Sequence, residues 1–207
     1  NEFLSIFKKC ADEREKMKQR LSFVISGGKS PINLYKKISQ LKINWNNIDF
    51  FWGDERFVKK NSKHSNYGLA KKYLLNRINI KNKNLYYIST NKKTVIESAN
   101  NYEKQIKKYF KNKKISFDII LLGMGNDGHI ASVFPEKINF KVKKVTSFVL
   151  RKDFKRITLN LNTINNSKKI FLWLNNKRKS FIYKKLKFKK LIPVNYLNKK
   201  RTIVFSV

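Results

Sequence analysis

The chain is 207 residues long, 41% apolar, and rich in aromatics, with 16 Phe, 9 Tyr and 3 Trp. That length and composition exclude a disordered chain and predict one domain spanning residues 1–207. Its 48 Lys and Arg against 13 acidic residues give a net charge of +35, which attracts anions. The cations run along the whole chain, however, and abundant Lys, Asn and Ile match A/T-rich codon usage, so no specific nucleic-acid partner is expected.

The first 20 residues are charged and amphipathic rather than a leader. Apolar side chains at Phe3, Leu4, Ile6, Phe7, Cys10 and Met17 predict a helix over 2–19. Leu21–Ser26 reads as a buried strand, followed by Gly27-Gly28-Lys29-Ser30-Pro31 and a helix from Ile32, with Ser30 as N-cap and Pro31 as first helical residue. Ile48–Trp52 is a second strand, Ser65–Leu75 a helix capped by Ser65 or Asn66, and Leu85–Ile88 a third strand. Thr94–Phe110 is a helix with Thr94 and Glu97 spaced as a capping box. Phe117–Leu122 is the most apolar strand; Val145–Leu150, Arg156–Leu161 and Lys169–Leu174 follow, then a helix over Lys177–Leu186 and a strand over Thr202–Val207. Strands alternating with helices predict an α/β fold, a doubly wound and mainly parallel sheet with helices on both faces. No apolar run is long enough to span a membrane. With Cys10 alone there is no disulfide framework. A cytoplasmic protein without a membrane partner is expected; its oligomeric state is open, with a monomer favoured.

In such sheets ligands bind at the carboxyl ends of the strands. Three glycine-bearing strand ends hold nearly all the unusual local chemistry. After Ile25, Gly27, Gly28, Lys29 and Ser30 suit a phosphate, whose oxygens backbone amides can approach closely, although a tight strand–helix turn explains the glycines equally well. After Trp52, Gly53-Asp54-Glu55-Arg56 places an arginine fork and two carboxylates at a buried strand's end, as an anion site or as a structural ion pair. After Leu122, Gly123, Gly125 and Gly128 suggest backbone with positive φ. There His129 is placed to act as a general base, with Asp127 to orient it. His64 sits in a polar run and reads as a loop residue. Two distant histidines and one cysteine make no metal site. No Gly-x-Ser-x-Gly elbow or Cys–His pair is visible, so direct attack by water is expected rather than a covalent intermediate.

The segments ISGGKSP, FFWGDERFV with SNYGLA, and FDIILLGMGNDGHIASVFP, in this order, resemble the 6-phosphogluconolactonase family, within the superfamily that also holds glucosamine-6-phosphate isomerase/deaminase. RITLNL and the stretch from Lys179 to Leu197 resemble its weaker C-terminal motifs, so the likeness covers about residues 21–197. The continuation Ala131-Ser132-Val133-Phe134-Pro135 resembles the lactonase branch rather than the deaminase branch. The resemblance implies hydrolysis of 6-phospho-D-glucono-1,5-lactone with no metal or organic cofactor. It implies His129 as base, Asp127 as its orienting partner, Arg56 and the amides near Gly125 or Gly128 at the oxyanion, and Asp54 and Gly125 at the substrate. The phosphate would lie on Gly27, Gly28, Lys29 and Ser30 with a second cation from Lys152, Lys155 or Arg156. The family's serine is replaced here by Lys29, its Lys-Pro-Pro by 151–155, and a glycine by Asn176, which tolerates the left-handed conformation. The other readings are a related isomerase/deaminase and, from the charge, a nucleic-acid-binding protein.

Overall fold

The computed structural model describes residues 2–139 and 142–206. Six parallel strands form the central sheet in the order β4-β2-β1-β5-β8-β9. They are β1 (Leu21–Ile25), β2 (Ile48–Trp52), β4 (Leu85–Tyr86), β5 (Ile119–Leu122), β8 (Lys169–Leu174) and β9 (Thr202–Ser206). β1, β2 and β5 are buried at every position, as expected of near-continuous apolar runs in a sheet covered on both faces; only Ser22 and Asp49 interrupt them. Neighbouring β2 residues show the two faces. Phe50 meets Phe23 and Trp45, beneath Phe3 and Phe7 of α1 (Glu2–Lys16). Phe51 meets Tyr109, on α4 (Val95–Tyr109), and Phe117. The Tyr102 hydroxyl of α4 donates to the Trp52 carbonyl and accepts from its amide, at 2.8 and 2.9 Å.

Two of the predicted caps are present. Thr94 accepts from the Glu97 amide, and Ser65 from Gly68 at the start of α3 (Asn66–Tyr73). Ser30 is not a cap: α2 (Ile32–Ile38) begins after Pro31 with no side-chain cap. Asn176 is not left-handed either. It is extended (φ −165°, ψ 165°) and caps α6 (Lys177–Leu186) by accepting from the Lys179 amide, so an asparagine replaces conformational freedom with a hydrogen bond.

The largest departure lies outside the central sheet. β6 (Thr146–Leu150) and β7 (Lys155–Leu159) do not join it. They pair antiparallel and, with β3 (Asp54–Arg56), form a separate sheet of order β3-β7-β6. Residues 54–56, expected as loop, are a strand because β7 offers them partners; Asp54-Glu55-Arg56 alone has no strand-like pattern. Leu161 begins a short helix, α5 (Leu161–Asn165), rather than ending a strand.

One buried carboxylate ties several elements together. Asp118, just before β5, accepts from the Ser22 amide and hydroxyl at 2.9 and 2.8 Å and pairs with Arg14 and Lys168. Burial alone would push its carboxyl up, but these partners outweigh burial and hold it below the ordinary 3.8. Its stabilisation is therefore present above pH 3.8 and lost as pH falls below that value. Asp118→Asn should lower stability by roughly 2–4 kcal/mol at neutral pH and flatten the acid limb, as read by urea unfolding at several pH values.

Candidate active site

The three glycine-bearing loops meet at the carboxyl edge of the central sheet, roofed by the small antiparallel sheet. Their cross-links are specific. The Gly53 amide donates to Ile25 O at 3.1 Å, and the Gly123 amide to Ser26 Oγ at 3.1 Å. Ser132 Oγ donates to Asp54 Oδ2 at 2.7 Å. Between them lies a cleft of about 130 Å³. Gly27, Gly28, Ser30, Asp54, Arg56, Gly125, His129 and Arg156 all line it. Eight of the expected positions thus come together, although they are scattered along the chain from Gly27 to Arg156.

Asp127 stands behind His129 rather than in the cleft wall. Its Oδ1 lies 2.6 Å from His129 Nδ1 and also accepts the His129 amide at 3.2 Å. Burial pushes the Asp127 carboxyl up, but its hydrogen bonds and charge interaction with His129 outweigh that and hold it down at about 2. A carboxylate fixed on Nδ1 leaves Nε2 as the atom able to take a proton. The His129 ring also packs against Phe134, centroids 4.5 Å apart.

Of the loop's three glycines only Gly128 has positive φ (81°). Gly125 is needed for space. A methyl there would lie 2.1 Å from His129 Nδ1 and 2.6 Å from Asp127 Oδ1. Gly125→Ala should therefore push the imidazole off its carboxylate and cut turnover about a hundredfold, with thermal unfolding little changed. Wild-type turnover in that variant would show the dyad to be dispensable. The Gly125 and Gly128 amides, expected as oxyanion donors, are engaged within the loop, to His129 O at 2.9 Å and Gly125 O at 3.2 Å.

Arg56 and Arg156 are direct partners in the β3–β7 register. Opposed residues on one antiparallel pair point to the same face, so two guanidinium groups are presented side by side. Both Nε atoms are buried without a hydrogen-bond partner. Arg56 Nη1 donates to Asn66 Oδ1 at 2.9 Å and His64 O at 3.0 Å, and Arg156 pairs with Asp153. Two like charges with unpaired inward nitrogens make a cradle for an anion. Strand alternation separates the candidate cations: Arg156 is buried and lines the cleft, whereas Lys155 and Lys152 are exposed and do not. Lys29 also turns away. It lies in a separate groove of about 900 Å³ between α2 and β9, which shares only Ser30 with the cleft. The Gly28 amide is already given to Asn66 Oδ1 at 3.1 Å.

Asn66 is the chief residue that sequence reasoning passed over, since it was weighed only as a cap. It is buried, and its side chain joins all sides of the cleft's first wall: Gly28, Arg56 and Asp54, the last through Nδ2 to both O and Oδ1. Glu55 is held by hydrogen bonds rather than by the ion pair considered for this strand end. It faces away from the cleft and accepts from the amides of Arg56, Asn66 and Tyr67, while burial pushes its carboxyl up to about 7. Lys179 of α6 reaches the third loop, donating to Asn126 Oδ1 at 2.8 Å. His64 is an exposed loop residue. Among the described residues no cluster of three or more His, Cys, Asp or Glu could hold a metal ion.

Fold and cleft together define a parallel α/β protein built to take a small anionic ligand at the strand carboxyl ends. Residues 1–205 match the family model described as glucosamine-6-phosphate isomerases/6-phosphogluconolactonase, and the chain belongs to that family. It is 31% identical over 179 residues to 6-phosphogluconolactonase of Thermotoga maritima, covering 84% of this chain and 79% of the relative. It is 30% identical over 210 residues to 6-phosphogluconolactonase of Chlamydia pneumoniae, covering 95% and 79%. A solved structure of 6-phosphogluconolactonase from Thermotoga maritima superposes with TM-score 0.87 at 26% identity, over 99% of this chain and 93% of that one.

Proposed function

We propose that the protein hydrolyses 6-phospho-D-glucono-1,5-lactone to 6-phospho-D-gluconate, all within one domain and without a metal or organic cofactor. The observation that carries this reading is the Asp127–His129 pair, 2.6 Å apart, in the same cleft as the opposed Arg56 and Arg156. One end of the cleft suits proton transfer and the other an anion. The family membership supplies the substrate class.

His129 Nε2 takes a proton from water as the water oxygen bonds to the lactone carbonyl carbon. The carbonyl becomes a tetrahedral oxyanion. Its collapse breaks the bond to the ring oxygen, which receives the proton back from the imidazolium. Water is consumed, and the open acid then loses a proton to solvent. Asp127 keeps the imidazole in the useful tautomer and stabilises its charged form, as in other carboxylate–imidazole pairs. The phosphate lies between Arg56 and Arg156 with Ser30 beside it. Arg56 thus acts with Arg156 on the phosphate rather than alone at the carbonyl, since their register aims both at one anion.

The test is hydrolysis of freshly generated lactone, followed against its spontaneous opening. Acceleration well above background is expected, with no ammonia released from glucosamine 6-phosphate. Well-folded protein that matches the background rate, or that deaminates the amino sugar, would overturn the assignment.

A further inference from the structure

We propose that the outer face of α6 docks the protein onto an anionic lipid bilayer. This helix contributes no buried residue to the protein. Ile182 and Tyr183 lean on the core, while Lys177, Arg178, Phe181, Lys184, Lys185 and Phe188 are exposed. Those six are spaced three, four and seven residues apart, so they share one side of the helix. Lys187 keeps helical dihedrals (φ −50°, ψ −31°) and carries the turn towards Phe188. Phe181 is 67% and Phe188 89% exposed, and Leu191 beyond them is 56% exposed. The Lys187 ammonium lies over the Phe188 ring, 5.9 Å from its centroid.

The charge of the segment that carries these rings is of one sign. From Phe154 to Val207 there is no Asp or Glu and there are 15 Lys and Arg, eight of them between Lys177 and Lys190. The whole-chain view, in which cations are evenly spread and no membrane partner is expected, does not describe this face. Large apolar side chains held in water amid cations are the pattern of helices that lie in a headgroup interface. Apolar rings enter the acyl boundary while Lys and Arg meet anionic headgroups, each cation adding to the attraction. Shape separates a bilayer from the other polyanion of similar charge. Single-stranded nucleic acid is held in grooves by ring stacking. Here the rings stand on the convex crest of a helix, beside a leucine that has no π face. A planar interface accommodates both. Among the described residues no helix is long and apolar enough to cross a membrane, so the contact is one of surface docking. Lys179 of α6 touches the third loop through Asn126 and is not among the exposed residues of the docking face.

The test is co-sedimentation of the full chain with vesicles at about 0.15 M salt. Vesicles of phosphatidylcholine alone are compared with vesicles containing about 30% phosphatidylglycerol. Binding only to the anionic vesicles is expected. Lys184→Ala/Lys185→Ala should weaken it about thirtyfold and Phe181→Ser/Phe188→Ser about tenfold or more. Circular dichroism and thermal unfolding confirm that each variant is folded, and lactone hydrolysis in solution should be unchanged by the Phe substitutions. Three outcomes would overturn the proposal: binding that vanishes at that salt, binding indifferent to the Phe pair, or tighter Phe-dependent binding to a single-stranded oligonucleotide than to vesicles.

Discussion

His129→Ala is expected to lower kcat for lactone hydrolysis by about a hundred- to ten-thousandfold while leaving KM and the unfolding midpoint close to wild type. The reason is local. The ring is partly exposed, 29% of its side chain reaching solvent, and its contacts are Asp127 and Phe134, so removing it opens no core cavity. What disappears is the imidazole that the proposed mechanism uses to take a proton from water. Asp127→Asn should give a smaller loss, because the imidazole stays in place but its tautomer and charged form are no longer supported. The pH profile adds a sign check. The Asp127 carboxyl is held at about 2, below its ordinary 3.8, so it is ionised throughout the neutral range. Its support of His129 is then constant above about pH 4 and fades only as pH falls towards 2. Loss of the Asp127 support should therefore lower kcat only below about pH 4, as read from kcat against pH. Turnover equal to wild type in His129→Ala would remove the dyad from the mechanism.

Arg156→Met is expected to raise KM for the phosphorylated lactone about ten- to a hundredfold, the loss of one or two charge-assisted hydrogen bonds. Hydrolysis of the unphosphorylated lactone should hardly change, so the expected preference for the phosphorylated substrate should collapse. Arg56→Met should do the same, although it also frees Asn66 Oδ1 and His64 O, which accept from Arg56 Nη1. Arg156→Lys should recover only part of the effect, since an ammonium keeps the charge without the fork. Removing either arginine relieves repulsion between two guanidinium groups that face each other across β3 and β7, so the substrate-free variants should unfold at the same or a higher temperature. The alternative role has a distinct signature. A fall in kcat with unchanged KM in Arg56→Met would return that residue to the carbonyl end of the cleft.

Much of this protein is determined locally. The runs at 21–25, 48–52 and 119–122 become the buried centre of a parallel sheet because they are apolar but for Ser22 and Asp49, whose side chains are hydrogen-bonded. The glycines that follow them, with Ser65 and Thr94 at their helix caps, mark where strands stop and helices start. His129 and Asp127 are two residues apart on one loop, so their pairing needs little more than that loop's own turn. The rest depended on contacts between distant segments. Asp54-Glu55-Arg56 has no apolar alternation, because its side chains face the cleft and α3, and only pairing with β7, about 100 residues on, makes it a strand. That pairing brings Arg156, and not Lys152 or Lys155, into the cleft wall, which no local spacing decides, since all three side chains are long and positive. Lys29 sits inside the first motif, yet the turn into α2 carries it to the neighbouring groove. Asn66 reads in sequence as a helix start; that it joins three segments at once follows from where α3 packs. The basic residues and phenylalanines of α6 are plain in the sequence. Which of them face water is decided by the side of the helix that Ile182 and Tyr183 bury, and burial is a property of the assembled sheet, not of the segment.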